Sequence, residues 1–308
     1  MSDTRAGRGG RRATGQTPVD PGPPTRPTSA VVSRSGARSA APTGADGHPT
    51  GPTSWVERVV AGHTRPGHRG RWGVAWFAIA CAALAVGPVA IAVVFALVAG
   101  VAGLQTAAAW GRGRRAAQLV AGVGAAALPL AAVAGTGLLG LASILFGVVA
   151  LVVGLRARPA RGRRVAPLAL AGIALRSGWW LGFGAACAVV VGRTDRFALL
   201  ILLVLVSAYE VGDYLVGTGA GTPVEGPIAG VVAVAVLTFT LSVFQLGPFD
   251  TQAAWVFGGL AAVLTPLGPM VASTFVPTAS AGGPALRRLD SWILVAPAWM
   301  WMLWNYLG

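Results

Sequence analysis

The sequence predicts an all-α fold: a polytopic integral membrane protein of about nine transmembrane helices, preceded by a disordered, basic N-terminal tail. Of the 308 residues, 54% are hydrophobic and only 11% charged, with a mean hydropathy of +0.66; a water-soluble globule could not hide that much apolar surface in one core. The apolar residues fall in uncharged runs long enough to cross a bilayer, which takes about 20 residues per helix. The charges are gathered between those runs, mostly as arginine clusters.

Residues 1–70 are rich in Gly, Pro, Ser, Thr and Arg and show no apolar periodicity. Such a stretch cannot bury enough surface to offset the entropy of ordering, and it is expected to be disordered. Eleven arginines up to Arg71 stand against Asp3, Asp20, Asp46 and Glu57. That excess favours an anionic membrane surface and is compatible with non-specific nucleic-acid contact, but it is read first as a cytoplasmic topogenic tail. No secretory signal is expected, because the first apolar stretch begins only near Trp72.

From Trp72 to Trp110 run 39 uncharged residues, two spans broken at Gly87-Pro88. Arg112, Arg114 and Arg115 follow, and Ala116 to Leu155 holds two more spans hinged near Gly135 to Gly140. Arg156, Arg158, Arg161, Arg163 and Arg164 form the densest positive loop, so this loop, the first arginine loop and the tail are all placed on the cytoplasmic side. Residues 165–192 read as one span whose Arg176 snorkels toward that side rather than serving as a buried functional group. Arg193, Asp195 and Arg196 make an outer turn, and spans follow at about 197–216, 226–246, 252–275 and 290–307. The C-terminus then lies outside, and Arg287 and Arg288 lie inside. Trp292, Trp299, Trp301 and Trp304, with Trp179 and Trp180, read as interfacial anchors and packing.

All the basic residues are arginine, and the three histidines (His48, His63, His68) lie in the tail without ligand spacing. A histidine-based centre in the membrane body is therefore excluded. Cys81 and Cys187, one in each of two apolar runs, give neither a disulfide framework nor a CxxC metal site. A transporter needs polar residues along a midplane path, and the spans offer almost none beyond Arg176.

Ionisable groups at membrane depth are costly, which singles out Glu210, Asp213, Glu225 and Asp290. Glu210 and Asp213 are three apart and share one helix face. Two readings stand for that pair: ligands for a divalent cation, or interfacial charges capping the span. Gly217, Gly219, Gly221, Gly226 and Gly230 follow, a run whose backbone can approach a phosphate or simply turn between spans.

Three segments, in order, carry a resemblance: YEVGDYLVG (Tyr209 to Gly217), TPVEGPIAG (Thr222 to Gly230) and GGPALRRLDSWILVAP (Gly282 to Pro297). They resemble the CDP-diacylglycerol synthases, or phosphatidate cytidylyltransferases. That family runs an acidic residue with Gly and Tyr in a span, SPKKxWEGxxGG, GDxxES with KR and KD, and HGGxLDRxDS before a last span with Ala-Pro. The resemblance covers residues 200–307 and divides the chain into the tail, N-terminal transmembrane helices at 71–192 and a cytidylyltransferase-like domain at 193–308.

The resemblance implies a cytoplasm-facing enzyme of the cell membrane that joins CTP to phosphatidic acid in phospholipid biosynthesis, with magnesium bridging carboxylates and phosphates. Glu210 stands for the family's acidic residue, Thr222 and Pro223 for its Ser-Pro, and Glu225 and Gly226 for its Glu-Gly; Ser273, Arg288, Asp290 and Ser291 match directly. Departures are concentrated at charged positions. The paired lysines are missing, Gly268-Pro269 stands for Gly-Asp, Ala272 for Glu, Val276-Pro277 for Lys-Arg, and Arg287 for the first Asp of LDRxD; no His precedes Gly282-Gly283. Between Arg196 and Arg287 there is no cation to meet a triphosphate.

Two function classes follow. In the first, an active cytidylyltransferase uses Asp290, Glu210 and Asp213 as catalytic and magnesium-holding groups, with Arg287, Arg288, Thr222 and Ser273 on the phosphates. In the second, a catalytically inactive relative acts as a membrane partner or regulator. The partners implied are a phosphatidic-acid-like lipid, CTP where the enzyme is active, an anionic membrane surface for the tail, and an oligomeric assembly.

Overall fold

Lipid offers no hydrogen bonds to a backbone, so an apolar chain of this kind must satisfy its amides internally, and the helix does so within one segment. A computed structural model describes residues 69–111, 115–156, 167–222, 224–278 and 281–307, and among them there is no strand. The expected disordered tail up to residue 68, Arg112, Arg114, Arg158, Arg161, Arg163, Arg164 and Pro223 lie outside the described residues.

Seven helices are long and apolar enough to cross a membrane: α2 (Pro88–Ala109), α3 (Arg115–Ala134), α4 (Thr136–Arg156), α5 (Pro167–Thr194), α6 (Arg196–Gly217), α7 (Glu225–Phe244) and α8 (Thr251–Ser273). The chain is thus multi-pass. Before them α1 (Arg69–Val86) is apolar only over Gly73–Val86. After them come a single turn, α9 (Leu286–Leu289), and the 16-residue α10 (Trp292–Leu307). Helices occupy all nine expected span positions, but the first and last are shorter than a full crossing.

The breaks have local causes. Gly87 and Gly135 adopt φ of 136° and 141°, where a side chain would be strained, and Pro88 opens α2 with its fixed φ. Asp195 and Asp250 cap α6 and α8, each accepting a 2.7 Å hydrogen bond from the amide three residues on, Ala198 and Ala253. Asp195 and Asp250 are thereby accounted for as helix starts.

Small residues bring the helices together. A methyl group at Gly103 of α2 would come within 2.7 Å of the Ala121 carbonyl oxygen on α3, and one at Gly182 of α5 within 2.7 Å of the Ala125 carbonyl oxygen. Helix α3 is therefore held between α2 and α5, with Ala99, Ala102, Ala121 and Ala125 fully buried. Farther along α5, Gly184 lies against the backbone of Ile293 in α10. On the other flank, Gly212 of α6 meets the Ala229 carbonyl of α7, and Gly230 meets the Tyr209 ring. Gly226 and Gly230 form a GxxxG pair whose missing side chains let α7 lie against α6.

The tryptophans divide by environment. Trp292 and Trp299 are core residues, and Trp299 Nε1 donates to the Phe257 carbonyl at 3.2 Å, whereas Trp301 and Trp304 are exposed. Arg176 is exposed too. Its guanidinium donates to the Thr274 carbonyl at the end of α8 and lies 5.1 Å over the Trp110 ring at the end of α2. A cation at two helix C-termini complements their dipoles, and its placement agrees with a snorkelling arginine rather than a buried one.

Gly182→Ala should lower stability by about 1–3 kcal/mol through backbone collision. Gly140→Ala, which faces open space, should be neutral or stabilise by up to about 1 kcal/mol through helix propensity. Thermal unfolding of the two variants in one detergent separates these outcomes.

Candidate functional site

The C-terminal half of α6 carries Tyr209, Glu210 and Asp213, and the junction between α9 and α10 carries Arg288, Asp290 and Ser291. Helix α8 packs onto this junction because it has no side chain at Gly268, where a methyl would collide with the Asp290 carbonyl oxygen. Asp290 closes the α9 turn, its amide donating to the Leu286 carbonyl at 2.9 Å. Its carboxylate then turns back to accept the Ser291 amide at 2.8 Å.

Glu210 joins the two segments. One of its oxygens lies 3.4 Å from Ser291 Oγ, which is itself 3.4 Å from Asp290 Oδ1. A hydroxyl has one proton, so at these long distances Ser291 bridges the two carboxylates weakly and in alternation. The other Glu210 oxygen faces Arg288 Nη1 at 3.8 Å, with the arginine side chain 20% and the glutamate 28% exposed. Arg288 Nη1 also lies against Gly73 near the start of α1. Asp213 sits beside Gly226 on the α7 side, within electrostatic range of Glu210.

Glu210 and Asp290, with Asp213 nearby, thus outnumber Arg288, the cation that meets them. Next to them is a residue that charge spacing does not reveal. Tyr209 is 3% exposed, its hydroxyl is without a hydrogen-bond partner, and it lies within electrostatic range of Asp213, Asp290 and Glu210. Ser291 is the other one: buried, and the bridge between the two sequence segments. The resemblance had already matched Ser291 directly; for Tyr209 the signal was its place one residue before Glu210 in an otherwise apolar helix.

The remaining predicted site residues are placed differently. Thr222 donates both its amide (3.1 Å) and its hydroxyl (2.8 Å) to Glu225 Oε1. The Glu225 side chain thus closes the turn that leads into α7, whose N-cap is Val224. Ser273 donates to the Met270 carbonyl of its own helix at 2.6 Å. Arg287 lies in α9 and is half-buried. The structure therefore unites Glu210, Asp290 and Arg288, keeps Asp213 nearby, and commits Thr222 and Ser273 to their own helices.

Magnesium asks for several oxygen ligands in near-octahedral array. Among the described residues no group of three His, Cys, Asp or Glu side chains is arranged to hold a metal ion. A guanidinium already stands at Glu210, and a fixed cation there repels a second one. As placed, the residues do not fit the ion.

Comparisons with family models, with curated proteins and with solved structures returned no match.

Replacing Arg288 by Gln should destabilise more than replacing Glu210 by Gln, because the first leaves Glu210 and Asp290 facing each other without a cation. The double variant should recover part of the loss, with a coupling energy of about 1–2 kcal/mol for a half-buried pair. A double-mutant cycle on unfolding free energy reads this directly.

Proposed function

We propose that this chain is a phosphatidate cytidylyltransferase-like protein of the cell membrane that acts without catalysis, as a partner or regulator of membrane lipid or protein. It has nine spans, a cytoplasmic N-terminus and a cytoplasm-facing polar centre. The observation that carries the reading is the Arg288–Glu210 ion pair, 3.8 Å apart, with Ser291 linking Glu210 to Asp290. These residues lie about eighty positions apart in sequence and converge where the resemblance puts a site. Arg288, the cation best placed to meet a phosphate, is turned onto a carboxylate of the same chain.

Charge supports the same conclusion. CTP brings several negative charges, and a centre whose carboxylates outnumber the paired Arg288 offers it no net attraction. Thr222 and Ser273, the other candidates for phosphate contact, spend their hydroxyls on Glu225 and on Met270. What the centre does well is hold α6, α8 and α10 together at one end of the bundle.

One observation favours the second reading, an active cytidylyltransferase. The convergence of Glu210 and Asp290, with the unpartnered Tyr209 hydroxyl beside them, is more than a structural pair needs. In that reading Asp290, Glu210 and Asp213 would hold magnesium, and Arg287 and Arg288 would meet the phosphates of CTP and phosphatidic acid. Arg288 must then leave Glu210 before the ion can enter.

Purified full-length chain in micelles with labelled CTP, phosphatidic acid and magnesium should give no CDP-lipid above an Asp290→Ala control, while a working cytidylyltransferase run in parallel does. Product that disappears in the Asp290→Ala variant establishes the enzyme instead.

A further inference from the structure

Helices α4 and α5 leave an open groove between them, with a volume of about 440 Å³, lined by Ser143, Gly147, Gly172, Arg176, Trp179 and Trp180. It shares no residue with the polar centre. We propose that it is a binding site for an anionic phospholipid, whose phosphate is taken by Arg176 and whose acyl chain lies over Gly147 and Gly172.

The depth is right for a headgroup. Helix α5 has 28 residues, or about 42 Å at 1.5 Å per residue, against a hydrocarbon thickness of about 30 Å. Its far end is fixed at the outer turn, where Arg193 donates to the Ala132 carbonyl and Asp195 caps α6. About 20 residues counted back from Arg193 end near Ile173, so Arg176 lies within one turn of the headgroup boundary.

The charge is right as well. Arg176 presents five N–H donors, and its hydrogen bond to Thr274 uses one of them. The Trp110 ring and the Thr274 carbonyl hold the planar guanidinium of this groove-lining residue, and its remaining N–H donors suit a phosphate. Trp180 is 44% exposed beside it, and Trp179 stacks on Phe183 at 4.9 Å; exposed tryptophan suits the interfacial zone.

The glycines show what the groove is for. On α5, Gly178 and Gly182 are required because α3 backbone occupies the space of their missing side chains. Gly147 and Gly172 differ: a Cβ at either meets nothing within 4 Å. Among the described residues no atom uses that room, while α4 exposes Ile144, Leu145 and Val148 to lipid. An acyl chain is the apolar group that a membrane always supplies to such a wall. This inference does not depend on the reading of the polar centre.

The test uses the full-length chain in detergent, with dioleoyl phosphatidic acid or dioleoyl phosphatidylcholine added in parallel and bound lipid counted by native mass spectrometry. The wild-type chain should retain phosphatidic acid in preference to phosphatidylcholine. Arg176→Gln should weaken that retention about tenfold, the loss of a charge-assisted hydrogen bond. Since Arg176→Gln also frees Thr274, Gly147→Leu provides the independent arm: it fills the groove from a position in open space, should keep the wild-type melting temperature, and should lose the lipid. Retention at wild-type strength by either variant, or equal retention of the two lipids, overturns the proposal. So does a change of oligomeric mass in Gly147→Leu, which would make the groove a protein interface.

Discussion

Backbone approach is the constraint on which this molecule depends. In lipid there is little hydrophobic gain from moving one apolar helix from a tail to another helix, so association rests on close packing and on the few polar contacts the chain can place. The sequence meets that condition with glycine and alanine rather than with interlocking large side chains. Where α2, α3 and α5 cross, the contact surface is Gly103, Ala121, Ala125 and Gly182, and carbonyl oxygens sit where side chains would otherwise be. Once those three helices are in contact, Gly184 sets the position of α10, and with it the Asp290-Ser291 junction.

The same constraint builds the polar centre. Glu210 cannot stay in the membrane body alone, and the fold gives it Arg288 on one oxygen and Ser291 on the other. Gly212, Gly226 and Gly230 bring α7 close enough to shelter Asp213 and Tyr209, and Gly268 lets α8 pass over the Asp290 carbonyl. Five elements of different sequence position thus close around one neutralising contact. The pair secures an end of the bundle, and its cation is no longer offered outward to a phosphate.

Much of the architecture was legible because it rests on local chemistry. The Gly87-Pro88 break, the turn at Gly135 and the turn at Asp195 are written in single residues whose backbone or capping behaviour differs sharply from that of their neighbours. Arg176, read as a snorkelling side chain, is exposed. The count of crossings was less secure, since α1 and α10 carry apolar sequence over lengths that only marginally span a bilayer. Site readings were mixed for a physical reason. Thr222 and Glu225 belong to a resemblance motif, yet in the fold they bond to each other in the turn that precedes α7. The glycine run had been open to a phosphate loop or a turn; Gly226 and Gly230 turn out to be helix-packing positions. The partnership of Glu210 with Arg288 spans too much sequence for spacing alone to reveal, and the unpartnered Tyr209 hydroxyl depends on burial that no single segment encodes.

The central claim is that Glu210 in this centre is paired with Arg288 of the same chain and that the carboxylates as placed do not take a divalent cation. Thermal unfolding of the purified chain across a magnesium series, at ionic strength matched with sodium, tests this most directly, because an ion that binds only the folded state raises the midpoint in a saturable way. The account predicts a flat midpoint for the wild-type chain. A saturable rise that vanishes in Asp290→Asn would contradict it and restore the carboxylates as metal ligands.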